Sequence, residues 1–208
     1  ASSGIRYSHH NIIRNKKGKV KLSLNLILRI QKQVTEGLLP KFESGNLRKK
    51  PIFVNNPSTQ QIIYLPPDAK DVKTLMENLI KFVNSNKNVV DSLILAGIFH
   101  KQMVLIHPFM DGNGRSARLA TKVLLAEMGL NTFNLFSFEN YYNKKVTRYF
   151  QTVGEFGNYY ELIDNIEKSE TLMVPSGGTD GIPLIPCIVV KKINRDIVNS
   201  GIIPMCLP

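Results

Sequence analysis

Residues 91–106 carry Leu93, Ile94, Leu95, Ile98, Phe99, Met103, Val104, Leu105 and Ile106, which would leave a helix apolar on nearly every side. Such a helix has to be surrounded, so the stretch predicts the central helix of a small helical domain. It falls short of the ~20 residues that a membrane span needs, as does the apolar run at 182–190, and no charged-then-apolar leader opens the chain. A membrane partner is therefore not expected. The chain has 208 residues, 43% hydrophobic and 21% charged, enough to bury one core with an extension left over. Its only two cysteines, Cys187 and Cys206, form no disulfide framework or zinc pattern, and a reducing, cytoplasmic setting is expected.

The elements around that helix read as mostly α. Leu24, Ile27, Leu28 and Ile30 suit a one-sided helix over 22–34 that stops before Gly37. Two β-rich runs, 51–54 and 61–65, flank the polar stretch 55–60 and predict a hairpin. Asp68 is placed to cap the next helix, with Val72, Leu75, Met76, Leu79, Ile80 and Val83 on its buried face. A helix over 115–128 stops at Gly129, Ser137 caps one reaching about Val153, and Asn158 with Glu161 starts a shorter one. The division is an N-terminal segment 1–21, a helical domain 22–168 with hairpin 51–65 and loop 107–118, and a C-terminal extension 169–208 of mixed turn and strand character.

The chemistry concentrates in His107-Pro-Phe-Met-Asp-Gly-Asn-Gly-Arg-Ser-Ala-Arg118. Asp111-Gly-Asn-Gly114 lets the backbone turn its N–H groups inward at the positive end of the following helix, an anion cradle. Arg115 and Arg118, three apart in the first helical turn, are expected to point to one side and grip successive phosphates. Asp111 offers a hard oxygen of the kind that holds Mg²⁺ together with nucleotide phosphates. His107 is the group there that can accept a proton near neutral pH. Together these residues predict phosphoryl or nucleotidyl transfer, and the net charge of +11 supplies a field that attracts phosphates.

The same stretch resembles the Fic signature His-x-Phe-x-(Asp/Glu)-(Gly/Ala)-Asn-(Gly/Lys)-Arg-x-x-Arg, filled by His107, Phe109, Asp111, Gly112, Asn113, Gly114, Arg115 and Arg118. A chance match has a probability of ~10⁻⁹ per starting point on even composition. The resemblance runs from Leu22 to about Glu161, with the hairpin similar to the family's flap and Gly45-Asn-Leu-Arg48 similar to its preceding Gly-x-x-Arg. It implies a Fic-type helical domain that transfers AMP from ATP, with Mg²⁺, to a Ser, Thr or Tyr hydroxyl of a target protein. On this resemblance His107 is the general base, Asp111 the Mg²⁺ ligand, and Gly112, Asn113 and Gly114 the α-phosphate anion hole. Arg115 holds the β-phosphate, Arg118 the γ-phosphate, and Phe109 anchors the loop. Gly114 places the chain with the AMP-transferring rather than the phosphorylating branch.

Two departures accompany the match. Lys145-Val146 precedes Tyr149-Phe150 where the family often has Asn-Arg before Tyr-Tyr, at the adenine pocket. No Ser or Thr is followed four residues later by Glu, so the family's inhibitory motif is missing; Ser2-Ser-Gly-Ile-Arg6-Tyr7 puts Arg6 at the Glu place. Restraint then lies upstream, comes from a separate inhibitory partner, or is absent. The hairpin residues Ile62, Ile63 and Tyr64 are expected to dock the target by strand addition along an outer edge with no sheet to pair with. His100 is expected to be a hydrogen-bonded core histidine and His9-His10 an exposed pair. Alternatives are transfer of UMP or phosphocholine, or a non-catalytic regulatory or nucleic-acid-binding module; no helix-turn-helix, zinc-finger or RNA motif accompanies the charge.

Overall fold

The computed structural model describes residues 21–56, 59–130, 144 and 157–168. Helix α1, Leu24–Val34, begins where Ser23 Oγ accepts the Leu26 N–H at 3.3 Å and buries Leu26, Ile27, Ile30, Gln31 and Val34. Helix α2, Val72–Asn86, buries all six residues that its 3.6 periodicity selects, from Val72 to Val83. Its N-cap is Asp71, not Asp68, because the chain turns once more through an Asp71 N–H to Asp68 carbonyl bond of 3.0 Å before the helix starts.

Helix α3, Ser92–Ile106, is the central element, capped by Asp91 through the N–H groups of Leu93 and Ile94 at 2.9 and 3.2 Å. It packs between α2 and α4, Asn113–Glu127, and α1 covers α4. Phe99, Leu95, Met103 and Ile106 of α3 meet Ile27, Ile30, Met76, Leu79, Leu119 and Leu124 in one core. Away from the site, Glu127 accepts from Lys87 Nζ at 2.6 Å and from the Leu22 N–H at 3.0 Å, tying the entry of α1 and the end of α2 to the end of α4.

The hairpin forms from β1, Val54–Asn55, and β2, Ile62–Leu65, antiparallel with Val54 opposite Tyr64 and Asn55 opposite Ile62. A third strand corrects the expected open edge: β3, Gly157–Asn158, pairs in parallel with β2 at Tyr64 and Leu65. β2 is thus the middle of the sheet, and β3 leaves Ile62 and Ile63 beyond its reach. Helix α5, Tyr159–Lys168, follows at once, with Asn158 Oδ1 accepting the Tyr160 N–H at 2.9 Å as the Asn158/Glu161 pattern predicts. The Tyr160 hydroxyl donates to Asp71 at 2.6 Å and accepts from the Asp68 N–H at 3.1 Å, fixing α5 to the start of α2. The segments 1–20 and 169–208, the Arg6 look-alike, the helix expected from Ser137 to Val153 and the Lys145 to Phe150 departure lie outside the described residues, apart from helical Lys144.

Candidate active site

His107 ends α3 in the left-handed region (φ 49°, ψ 60°), a conformation uncommon outside glycine. That turn lets its ring reach back, so that Nδ1 donates to the Val104 carbonyl at 3.1 Å and Nε2 is left as the accepting nitrogen. The ring is held below the ordinary histidine value, chiefly by burial and further by the Arg48 charge, against the opposing pull of the Val104 carbonyl and Asp111. His107 is therefore a neutral imidazole at pH 7 with one lone pair to use.

Beyond it the chain is clasped. Phe109 is fully buried, and Asn113, itself buried, accepts the Phe109 N–H at 2.9 Å and donates Nδ2 to the Phe109 carbonyl at 2.8 Å. The Asn113 side chain thus closes the loop. Helix α4 begins at Asn113, two residues earlier than its apolar face predicts, with Gly112 as N-cap at φ 80°. Its first intrahelical bond runs from the Ser116 N–H to the Gly112 carbonyl at 2.8 Å, so the N–H groups of Asn113, Gly114 and Arg115 have no partner within the helix.

The expected inward turn of the Gly112 N–H is corrected: it donates to Asp111 Oδ1, capping the acid next to it. Asp111 Oδ2 also accepts from Arg115 at 3.2 Å, and the other arm of Arg115 donates to the Val34 carbonyl at the end of α1 at 2.9 Å. Arg118 has different neighbours, lying 3.4 Å from where a Gly114 Cβ would stand and bearing on His100 through its charge. The Asp111 side chain is 55% exposed, and no group of three or more His, Cys, Asp or Glu gathers among the described residues. Asp111 could hold a Mg²⁺ ion only by one carboxylate, the kind of ligand set that substrate phosphates would have to complete.

Three polar residues that the sequence reading did not single out, or gave no role, support this loop from behind. Gln31, fully buried on α1, accepts from the Gly45 N–H and donates to the Asp111 carbonyl at 3.2 Å. Thr35 bonds the Gln31 carbonyl at 2.8 Å and sets its methyl against Gly112. Arg48, 3% exposed, donates to main-chain carbonyls at both feet of the hairpin and at the end of α3. Gln31 interrupting the apolar stripe of Ile27, Ile30 and Val34 was the available signal, since a polar side chain at a core position needs partners. Of the hairpin residues, Ile62 is exposed and Ile63 half-buried. Tyr64 is buried with its hydroxyl on the Leu105 carbonyl at 2.9 Å, which makes it an anchor and corrects its expected place on a docking surface.

Residues 21–125 match the sequence profile of the Fic/DOC family. Protein adenylyltransferase Fic of Drosophila grimshawi is 31% identical over 112 residues, and that of Drosophila melanogaster is 30% identical, each covering 53% of this chain. The alignments span about a fifth of those relatives, 22% and 21% of their length. Among solved structures, a Fic family protein from Desulfovibrio desulfuricans is similar with a TM-score of 0.55 at 18% identity, covering 96% of this chain and 53% of its own. A Fic-domain signaling protein from Bacteroides thetaiotaomicron gives 0.51 at 16%, covering 96% and 67%. The mostly helical frame with its small sheet is the fold those structures share, and with half of its length matched at the level of sequence this chain belongs to the Fic/DOC family.

Proposed function

We propose that the chain is a protein adenylyltransferase that moves AMP from Mg·ATP to a Ser, Thr or Tyr hydroxyl of a target protein. The observation that carries this reading is the pairing of a neutral His107, its Nδ1 committed to Val104, with the N–H groups that open α4 six residues later and have no partner within the helix. A hydroxyl between them meets a base on one side and the positive end of a helix on the other. The target oxygen then bonds to the α-phosphorus, the bond to the bridging oxygen of the leaving diphosphate breaks, and His107 Nε2 takes the hydroxyl proton.

The ion pair between Asp111 and Arg115 fits this cycle. Without nucleotide each neutralises the other; a bound polyphosphate would draw Arg115 as Asp111 turns to the cation, so that no charge is stranded. Mg²⁺ held on Asp111 would offset the charge of the phosphate chain. Ile62 and Ile63, beyond the reach of β3, are the part of the hairpin left for an extended target segment. The relatives named protein adenylyltransferase favour AMP as the transferred group.

Intact-protein mass spectrometry after incubation with Mg·ATP tests the reading. A mass gain of one AMP, on the chain itself or on a target, that disappears in EDTA is the expected result. A gain with UTP or CDP-choline but not ATP replaces AMP by another group, and full transfer in EDTA removes Asp111 as a metal ligand.

A further inference from the structure

The last four carbonyls of an α-helix have no partner within it, and α3 disposes of all four in an unusual way. Met103 takes the His107 N–H at 3.2 Å, Val104 takes His107 Nδ1 at 3.1 Å, Leu105 takes the Tyr64 hydroxyl at 2.9 Å, and Ile106 takes Arg48 at 3.5 Å. Two of these caps come from His107 itself, one from β2 and one from Arg48. The Arg48 guanidinium also donates to the His107 carbonyl at 2.9 Å, to the Lys50 carbonyl at 3.2 Å and to the Pro67 carbonyl. Lys50 lies just before the hairpin and Pro67 just after it. The Arg48 N–H donates to the Pro108 carbonyl at 2.9 Å, on the far side of His107.

We propose that Arg48 is a positioning residue that holds His107 in its left-handed turn and fastens the hairpin to it, so that base and flap keep one geometry. The inference rests on the reading of His107 as the proton acceptor. Three physical points carry it. A non-glycine residue in the left-handed region returns to ordinary backbone unless its surroundings over-determine it. The carbonyls on either side of that turn, at Ile106, His107 and Pro108, all end on Arg48. A planar fork with five donors suits such a cluster where the point charge of Lys does not, and a cation at a helix C-terminus is favourable to begin with.

Hydrogen exchange and kinetics on Arg48→Gln and Arg48→Lys test this. With Arg48 as the common bolt, Arg48→Gln speeds amide exchange in 52–65 and in 105–112 together, while 75–86 and 117–125 stay as protected as in the wild type. Transfer slows by ~10–10²-fold in kcat, the weight of a sub-ångström loss of aim, with KM for ATP within about twofold. Arg48→Lys, which retains the charge without the fork, falls between the two and decides the matter if Arg48→Gln does not fold. Faster exchange confined to the hairpin, or an unchanged kcat in the variant decisive by that rule, overturns the proposal. The exchange arm needs no substrate, so a wild type that transfers nothing would refute the adenylyltransferase reading and leave this one to be judged by exchange alone.

Discussion

At Gly112 the backbone stands at φ 80°, and a Cβ would lie 2.7 Å from the Thr35 methyl, so two independent effects demand glycine there. Gly112→Ala should lose about 1–2 kcal/mol from the left-handed strain alone, with the contact adding to it, read as a lower Tm. Gly114 is different: it is helical, and a Cβ there meets only the guanidinium end of Arg118 at 3.4 Å. Gly114→Ala should leave Tm unchanged or raise it while transfer falls, because the added methyl occupies room that a phosphate would use. Equal activity in Gly114→Ala would dissociate the glycine from substrate. At His107 the sign of the pH effect follows from burial. A base held below the ordinary value of 6.5 is more than half deprotonated at pH 6.5, so the acid limb of kcat should fall at lower pH than an unperturbed imidazole would give. His107→Ala should slow transfer by ~10²–10⁴ and leave ATP binding by calorimetry nearly intact.

Elements set what those residues can reach, and they differ in how far the sequence announces them. The buried faces of α2 and α3 follow directly from apolar spacing and the cap at Asn158 from its residue type, whereas the caps at Ser23 and Asp91 were found only in the structure. The loop from His107 to Arg118 was legible because its chemistry is written in contiguous residues. β3 was not: two residues, Gly157 and Asn158, have no alternation to read, and they pair with β2 across nearly the whole domain. The Arg48 cluster escaped for a similar reason, since its acceptors are main-chain carbonyls that no side-chain pattern reveals. Successive N–H groups of a strand point to opposite edges, so of Ile62 and Ile63 one faces β1 and the other faces the side that β3 leaves uncovered. If targets add there as a strand, one of Ile62→Pro and Ile63→Pro should cut target modification severalfold while ATP binding holds. Unchanged modification by both, in folded protein, would rule out strand addition.

At the scale of the whole domain, the layer between α3 and α4 contains a titratable group that the proposed chemistry does not use. His100 is 7% exposed, and its Nδ1–H donates at 3.1 Å to Thr121, whose own hydroxyl proton is given to the Ala117 carbonyl at 2.7 Å. Burial first, then the charges of Arg118 and Lys101, push His100 down to about 4. Because the unfolded chain takes up this proton near pH 6.5 and the folded chain does not until about 4, the unfolded state binds more protons in that interval, and stability falls as pH drops through it. A difference of this size corresponds to about 3 kcal/mol lost by pH 4, a large share of what holds a domain together. His107 adds loss of the same sign, and the net charge of +11 adds self-repulsion, so the wild-type curve alone does not isolate His100. His100→Asn retains a donor for Thr121 and removes the titration. Urea denaturation at pH 7 and pH 4.5 should show the variant less stable than wild type at pH 7 through its cavity, yet losing about 2–3 kcal/mol less between the two values. Parallel losses in the two proteins would mean that His100 is already protonated in the folded domain.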